Sequence, residues 1–273
     1  MQLQKSKLIM SDIKDKKLFL LDMDGTIYLG NQLFDGCLDF LDYVKSIGGR
    51  YMFLTNNSSK SVYRYIEKLE KLGITASEDD FTTSAQATGL YLKKHHPNDK
   101  LYVFGTKAFK EELKLYNLNI TDVLENDVKC LVMGFDTELC FSKLEDAVKL
   151  LNKGVDYIAT NPDWVCPTEY GYVPDCGSVA QMLFNATKRK PKFIGKPEPT
   201  MINLAIEKAG FKKAETILLG DRIYTDIASG YNAGIDTALM LSGESTLDDL
   251  KDFDFSPTFI YKDIKELYLQ LIS

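Results

Sequence analysis

Two aspartates stand two residues apart, Asp22 and Asp24, directly after a short apolar run. In an extended chain alternate side chains point to the same side, so these two carboxylates would repel each other. A divalent cation, which prefers oxygen ligands, is a natural way to offset that charge. Gly25 follows and lets the backbone turn, so that the next amides can point at an anion. The alternative is a turn that only ends a strand or binds calcium, although no EF-hand pattern follows.

A cluster of hydroxyl and amide side chains covers residues 55–59, with Thr55 and Asn56 at its start. Such donors between a strand and a helix can form a neutral cradle for an anion. The alternative is a helix N-terminus that Ser58 or Ser59 caps. Both interpretations fit the sequence.

Lys196 stands between Gly195 and Pro197, just before a predicted helix over residues 199–209. A lysine in so constrained a loop suits a point charge that faces a phosphate. The spacing of a Walker A loop is absent. The alternative is an ordinary surface lysine.

Two further aspartates, Asp221 and Asp226, follow another apolar run. The first would lie at the carboxyl end of a buried strand, where open α/β sheets bind ligands. The second lies near a predicted helix start, so its alternative role is that of a cap or a partner of the helix dipole.

Short apolar runs alternate with longer segments of helical spacing, which predicts an α/β protein with a parallel sheet covered on both faces. The predicted strands are 18–21, 51–54, 101–104, 131–133, 157–159, 192–194, 216–219, 237–241 and 258–261. Because the polar motifs follow strands, we expect all of them to meet at the carboxyl edge of one parallel sheet. Three carboxylates, a Thr/Asn cluster and one lysine would make a magnesium and phosphate site there.

The chain has 273 residues, 45% of them hydrophobic and 26% charged, with a net charge of −6. This composition is typical of a globular protein and disfavours a nucleic-acid polymer as partner. Its five cysteines have no paired spacing, and neither a signal peptide nor an apolar span is present. We therefore expect a cytoplasmic protein with no membrane partner. The only histidines, His95 and His96, are expected at the surface, which disfavours histidine-dependent catalysis.

Taken in order, the polar motifs resemble those of the haloacid dehalogenase superfamily. They are DMDGT at 22–26, TNN at 55–57, GKP at 195–197 and GDRIYTD at 220–226. The long gap between the second and third motifs resembles the NagD-like, p-nitrophenylphosphatase subgroup, which carries an inserted cap domain at this point. Four ordered motifs make the resemblance specific, and it covers nearly the whole chain.

The resemblance extends into the insert through ATNPD at 159–163 and PDCGS at 174–178. It implies a discontinuous Rossmann-like hydrolase core over 1–83 and 187–273. An α/β cap domain over 84–186 would close over that core.

By position, the resemblance makes Asp22 the nucleophile that forms an aspartyl-phosphate, and Asp24 the acid and base. An aspartate near its ordinary pKa of about 3.9 is ionised at neutral pH, so Asp22 would need no activating base. Asp24 would have to hold a proton there. The resemblance also implies that dehalogenases lack this second aspartate, which favours phosphate chemistry.

The remaining roles carry over in the same way. Mg²⁺ would be held by Asp22, Asp221 and the backbone carbonyl of Asp24, with Asp226 assisting directly or through water. The transferring phosphoryl group would be bound by Thr55, Asn56 and Lys196.

Substrate specificity is expected to lie in the cap, with Asn161, Asp163 and Gly177 as candidates; an ordinary turn is the alternative. Asp175 departs from the glycine of many relatives, and this bears on substrate preference. Trp164 could stack on a nucleobase or pack against the protein. Relatives also suggest a homodimer formed through the cap.

The sequence therefore predicts a Mg²⁺-dependent phosphatase of small phosphorylated metabolites, such as nucleotide or sugar phosphates. A phosphomutase and a catalytically inactive metabolite-binding protein are the alternatives. The identity of the substrate depends on cap loops whose geometry the sequence does not give.

Overall fold

The computed structural model describes residues 12–168 and 170–273, and it contains two parallel sheets and two hairpins. The strands are β1 (Leu18–Leu21), β2 (Tyr28–Leu29), β3 (Gln32–Leu33), β4 (Arg50–Thr55), β5 (Phe81–Thr83), β6 (Lys100–Phe104), β7 (Asn119–Thr121), β8 (Val128–Met133), β9 (Asp156–Ala159), β10 (Val165–Thr168), β11 (Gly171–Pro174), β12 (Lys192–Phe193), β13 (Thr216–Gly220), β14 (Asp236–Met240) and β15 (Phe259–Tyr261).

The α-helices alternate with these strands, as a parallel sheet requires. They are α1 (Cys37–Ser46), α2 (Val62–Lys71), α3 (Ser84–His95), α4 (Lys107–Lys114), α5 (Phe141–Asn152), α6 (Cys176–Thr187), α7 (Thr200–Ala209), α8 (Ala228–Ala233) and α9 (Ile264–Ile272). One turn of π-helix, Ile223–Ile227, precedes α8.

The first sheet has six parallel strands in the order β15-β14-β13-β1-β4-β5. The second has five parallel strands in the order β12-β9-β8-β6-β7. The strand pairs β2-β3 and β10-β11 are antiparallel. The α/β fold with parallel sheets that the sequence predicts is confirmed.

Both faces of β1 are buried, because its side chains alternate between two hydrophobic clusters. Phe19 and Leu21 pack in a cluster with residues of α1, α2 and α9. Leu18 and Leu20 pack in a second cluster, which also contains residues of α3, α7 and the second sheet. The two sheets thus share one apolar layer, and a third cluster covers the far side of the second sheet.

All the strands predicted from apolar runs are present to within three residues. The expectation that every motif follows one sheet is wrong for Lys196. Its preceding strand, β12, pairs with β9 at the edge of the second sheet. The bounds predicted for the inserted cap domain, residues 84–186, stay a prediction. They leave out β12, although this strand belongs to the second sheet.

The prediction that both histidines lie at the surface is confirmed for His95 alone. His95 is exposed, but His96 is buried, and its Nδ1 lies 2.9 Å from an Asp99 carboxylate oxygen. Among the described residues, no helix is long and apolar enough to cross a membrane.

Candidate active site

The polar motifs meet where the strand order of the first sheet reverses. From β1 the chain continues to β4 and β5 on one side, and later to β13, β14 and β15 on the other. Ligands of open α/β sheets bind outside the carboxyl ends of the strands at such a switch point. Asp22 follows β1 there, Thr55 ends β4, and Asp221 follows β13.

Lys196 reaches this point from the second sheet. Its Nζ donates to Asp22 Oδ1 and to Asp226 Oδ1, both at 2.6 Å. Only 4% of the lysine side chain is exposed. A buried cation held by two carboxylates is fixed in position, since leaving it unpaired would be costly.

Burial and the charges of the partner groups shift the pKa values of Asp22 and Lys196 in opposite directions. Burial raises the pKa of Asp22 to about 6, although Lys196 lowers it. Asp22 is therefore mainly ionised at neutral pH, but its pKa lies above the ordinary value expected from sequence. Burial acts to lower the pKa of Lys196, but the two carboxylates outweigh it and raise that pKa, so the lysine stays charged.

Asp22, Asp221 and Asp226 form a cluster that could hold a metal ion, with ligand atoms that all lie within 4.8 Å of one another. Among the described residues, Asp221 Oδ1 is buried without a hydrogen-bond partner. Burial, together with the charges of Asp22 and Asp226, raises the pKa of Asp221 to about 8. A buried carboxylate oxygen that lacks a donor is a suitable ligand for a hard cation.

Two glycines leave room for the Asp221 carboxylate. Gly25 has a φ of +90°, and a Cβ built on it would lie 2.4 Å from Asp221 Oδ2. A Cβ on Gly243 would lie 2.1 Å from the same oxygen. The backbone N–H of Glu244 donates to it at 2.8 Å. The loops after β1 and β14 therefore enclose this carboxylate and fix its orientation.

Asn56 contacts Lys196 through the backbone of the lysine. Its Oδ1 accepts from the Lys196 N–H at 2.8 Å, and its Nδ2 donates to the Lys196 carbonyl at 2.9 Å. Its Nδ2 also lies 3.3 Å from Asp163 Oδ1. The amide that the sequence predicts as a phosphate ligand is thus occupied in holding the lysine loop.

Asp24 and Thr55 border the same cleft. The Asp24 side chain is 53% exposed, and Lys68 Nζ lies 3.7 Å from its Oδ2. Asp24 therefore stands outside the buried cluster, where a ligand can reach it. The Thr55 hydroxyl accepts from the Asn57 N–H at 3.2 Å. Ser58, a predicted helix cap, instead bonds to the Thr160 hydroxyl at 2.9 Å.

The predicted specificity residues lie at the opposite side of the cleft. Asp163 lines the cleft. Asn161 is buried, and its side-chain amide donates to the carboxylates of Asp163 and Asp175. Gly177 packs against backbone, since a Cβ on it would lie 2.0 Å from the Pro162 carbonyl oxygen. Trp164 is exposed and does not pack in the core.

Comparisons with known proteins agree with this geometry. A haloacid dehalogenase-like hydrolase family model matches residues 19–119, and a HAD-hydrolase-like model matches residues 193–267. An acid sugar phosphatase of Staphylococcus epidermidis is 35% identical over 259 residues, which cover 95% of this chain and 99% of that protein.

The chain belongs to the haloacid dehalogenase-like hydrolase family.

Solved structures place this hydrolase in the NagD-like, p-nitrophenylphosphatase group. The 4-nitrophenylphosphatase of Thermotoga maritima superposes with a TM-score of 0.88 at 37% identity, covering 94% of this chain and 98% of that one. NagD of E. coli gives 0.84 at 31% identity, covering 92% and 98%. The family, its Rossmann-like α/β fold and its class as a phosphomonoesterase are thereby confirmed.

The cleft of this hydrolase has a volume of about 500 Å³ and is lined from both sheets. It includes cations that received no role from sequence, namely Lys60, Arg64, Lys68, Lys71 and Arg222. Arg222 lies inside the GDRIYTD motif, and its Nε donates to Glu244 Oε2 at 2.8 Å. The other four cations follow one another at separations of four, four and three residues, which is typical of one face of a helix.

Proposed function

We propose that this protein is a Mg²⁺-dependent phosphatase that hydrolyses small phosphomonoesters through an aspartyl-phosphate intermediate. The observation that carries the proposal is the buried Lys196, held between Asp22 and Asp226. Beside them lies Asp221 Oδ1, which has no hydrogen-bond partner within residues 12–168 and 170–273. This arrangement combines a nucleophile, a fixed cation and a candidate metal site at the end of one cleft.

In the first step, an Asp22 carboxylate oxygen attacks the phosphorus atom. The bond between phosphorus and the ester oxygen breaks, and Asp24 gives its proton to that leaving oxygen. In the second step, Asp24 takes a proton from water while the water oxygen attacks the phosphorus. The bond to Asp22 then breaks, and inorganic phosphate leaves.

Lys196 and Thr55 bind the transferring phosphoryl group in this scheme. The Lys196 ammonium already faces Asp22, so it lies where negative charge develops during transfer. Asn56, which the sequence predicts as a phosphate ligand, acts here by fixing the lysine loop.

Asp22, Asp221 and the Asp24 carbonyl would hold Mg²⁺, with Asp226 assisting directly or through water. The acidic donor set supports this assignment. So does Asp221 Oδ1, which has no hydrogen-bond partner in the part of the chain that the structure describes. When bound, the ion offsets the charge of the carboxylates and of the phosphoryl oxygens.

The substrate class is a small phosphorylated metabolite, such as a sugar or nucleotide phosphate. The names of the relatives, acid sugar phosphatase and 4-nitrophenylphosphatase, support hydrolysis of phosphate esters. The cysteine pattern supports a cytoplasmic location, and a homodimer through the cap remains a prediction.

The test is hydrolysis of p-nitrophenyl phosphate by the wild-type chain and by Asp22→Asn. We expect a loss of at least about 10³-fold in kcat, because the amide cannot act as the nucleophile. EDTA should suppress the wild-type rate, and added Mg²⁺ should restore it. Asp42→Asn, a change at an exposed aspartate of α1, is the matched control.

Retained activity in Asp22→Asn would overturn the assignment of the nucleophile. Acid-quenched wild-type protein should gain the mass of one phosphoryl group, and Asp22→Asn should not. Release of inorganic phosphate without an isomerised product would distinguish a phosphatase from a phosphomutase.

A further inference from the structure

Four cationic side chains line one wall of the cleft. Arg64, Lys68 and Lys71 belong to α2, and Lys60 lies in the bend just before it. Residues three and four apart share one face of a helix, and Arg64 to Lys71 spans about 10 Å at 1.5 Å per residue. We call these four residues the basic wall.

Neighbouring carboxylates offset only part of this charge. Lys68 pairs with Asp24 at 3.7 Å, and Arg64 pairs with Glu67 at 3.2 Å. Over residues 12–168 and 170–273, Lys60 and Lys71 form no ion pair with an acidic side chain. Both are exposed, so their ammonium groups are available to a ligand in the cleft.

The cations lie close enough to affect one another. The positive charge of Lys60 acts on Lys68. Like charges held on one wall repel, and an anion placed between them would relieve that repulsion.

Phosphoryl transfer does not account for the basic wall. The transferring group already has the buried Lys196 beside Asp22. The Lys68–Asp24 pair joins the basic wall to the reaction centre, so one small molecule could reach both. Lys60 and Lys71 line the same cleft and are therefore available to a different part of the same ligand.

We infer that the preferred substrate is a phosphomonoester that carries a second anionic group, a carboxylate or another phosphate, which Lys60 or Lys71 binds. This inference rests on the proposed function, because it assumes that the first phosphate lies at Asp22. It goes further in predicting selectivity for phosphomonoesters with a second anionic group over phosphomonoesters of neutral alcohols.

The experiment compares kcat/KM within pairs of substrates that differ by one anion. One pair is 3-phosphoglycerate and glycerol 3-phosphate, and the other is glucose 1,6-bisphosphate and glucose 6-phosphate. The wild-type chain should favour the more anionic member of at least one pair. That preference should fall by about 5-fold in Lys60→Gln/Lys71→Gln, since exposed ion pairs are individually weak.

Lys93→Gln/Lys94→Gln is the control, because it removes the same charge from exposed residues of α3 that do not line the cleft. It should keep the wild-type preference. Added salt should reduce the preference of the wild-type chain through screening. The pair that responds identifies the second anion as a carboxylate or a phosphate.

Two outcomes overturn the inference: no preference in either pair, or equal preference in the wild-type chain and Lys60→Gln/Lys71→Gln. Hydrolysis of p-nitrophenyl phosphate is measured in parallel. If the wild-type chain does not hydrolyse it or any member of the pairs, the proposed function fails instead.

Discussion

At the scale of single residues, the site depends on how Lys196 is held. Its ammonium bonds to Asp22 and Asp226, and its backbone bonds at two points to the Asn56 amide. A flexible lysine becomes a fixed charge when both its head and its backbone have partners. In the proposed mechanism, Asn56 is therefore a positioning residue, whose effect passes through the lysine.

We expect Asn56→Ala to lower kcat by on the order of 10- to 100-fold, because a small displacement of a catalytic charge is costly. The measurement is a double-mutant cycle with Lys196→Ala. If Asn56 acts through the lysine, adding Asn56→Ala to Lys196→Ala should cost little more.

Asn232→Ala is the matched control for this cycle. Its Nδ2 donates at 3.0 Å to the carbonyl of Pro197 in the same loop, but from an exposed position. Its kcat should stay within about twofold of wild type, since exposed hydrogen bonds contribute little. Fully additive losses for Asn56→Ala and Lys196→Ala would contradict the positioning role.

At the scale of elements, loops from two strands shape the space around Asp221. The loop after β1 contributes Gly25, and the loop after β14 contributes Gly243. Neither glycine can gain a side chain without displacing the carboxylate. The φ of Gly243 does not lie in the left-handed region. Glycine is therefore needed at this position only because a side chain would not fit.

Gly243→Ala should therefore lower kcat by about 100-fold and raise the Mg²⁺ concentration needed for half-maximal rate. Gly30→Ala is the comparison, because Gly30 has a φ of +58° but open space around its Cβ. It should cost about 1 kcal/mol of unfolding free energy and leave kcat unchanged. Urea denaturation and steady-state kinetics on both variants separate the loss of stability caused by backbone strain from the loss of activity caused by displacing the Asp221 carboxylate. Normal metal dependence in Gly243→Ala would argue against a metal at Asp221.

Apolar runs predicted the long strands well, because buried parallel strands are hydrophobic on both faces. The strands of the first sheet other than β5, and the residues at the carboxyl edge of that sheet, followed from that signal. The placement of β12 did not, since a strand of two residues gives no indication of which sheet it joins. The roles of Asn56 and of the basic wall also depend on which side chains meet across the cleft, and local sequence does not contain that information.

At the scale of the whole molecule, the two sheets share an apolar layer, and polar contacts cross between them. Asn56 reaches Asp163, and Ser58 reaches Thr160. Beyond these lies a buried network in which Asn161 donates to Asp163 and Asp175. Such a network affects stability, because buried carboxyl groups resist ionisation.

Burial and the charge of Asp163 raise the pKa of Asp175 to about 7, although its hydrogen bonds and the charge of Arg222 act to lower it. The folded chain therefore keeps a proton that the unfolded chain releases near pH 4. The free energy of unfolding should fall as the pH rises from about 4 to 7, and the loss should be complete above that range.

In Asp175→Asn, the amide oxygen can still accept from Cys176 and Asn161 without titrating. We expect the fall in unfolding free energy between pH 5 and pH 8 to shrink by about 2 kcal/mol. Urea denaturation at both pH values measures it. Asp156→Asn, at an exposed position of β9, should behave like wild type. An unchanged pH dependence in Asp175→Asn would show that this carboxyl group ionises normally.

The pairing of β12 with β9 also limits how this enzyme can be recombined with its relatives. A chimaera that exchanges residues 84–186 leaves β12 behind and gives the transplanted sheet a foreign edge strand. That edge strand leads within three residues to Lys196. Each such exchange therefore tests the alignment of the charge proposed to bind the phosphoryl group, as well as a change of specificity. Breakpoints after the lysine loop would transfer the strand and its lysine together.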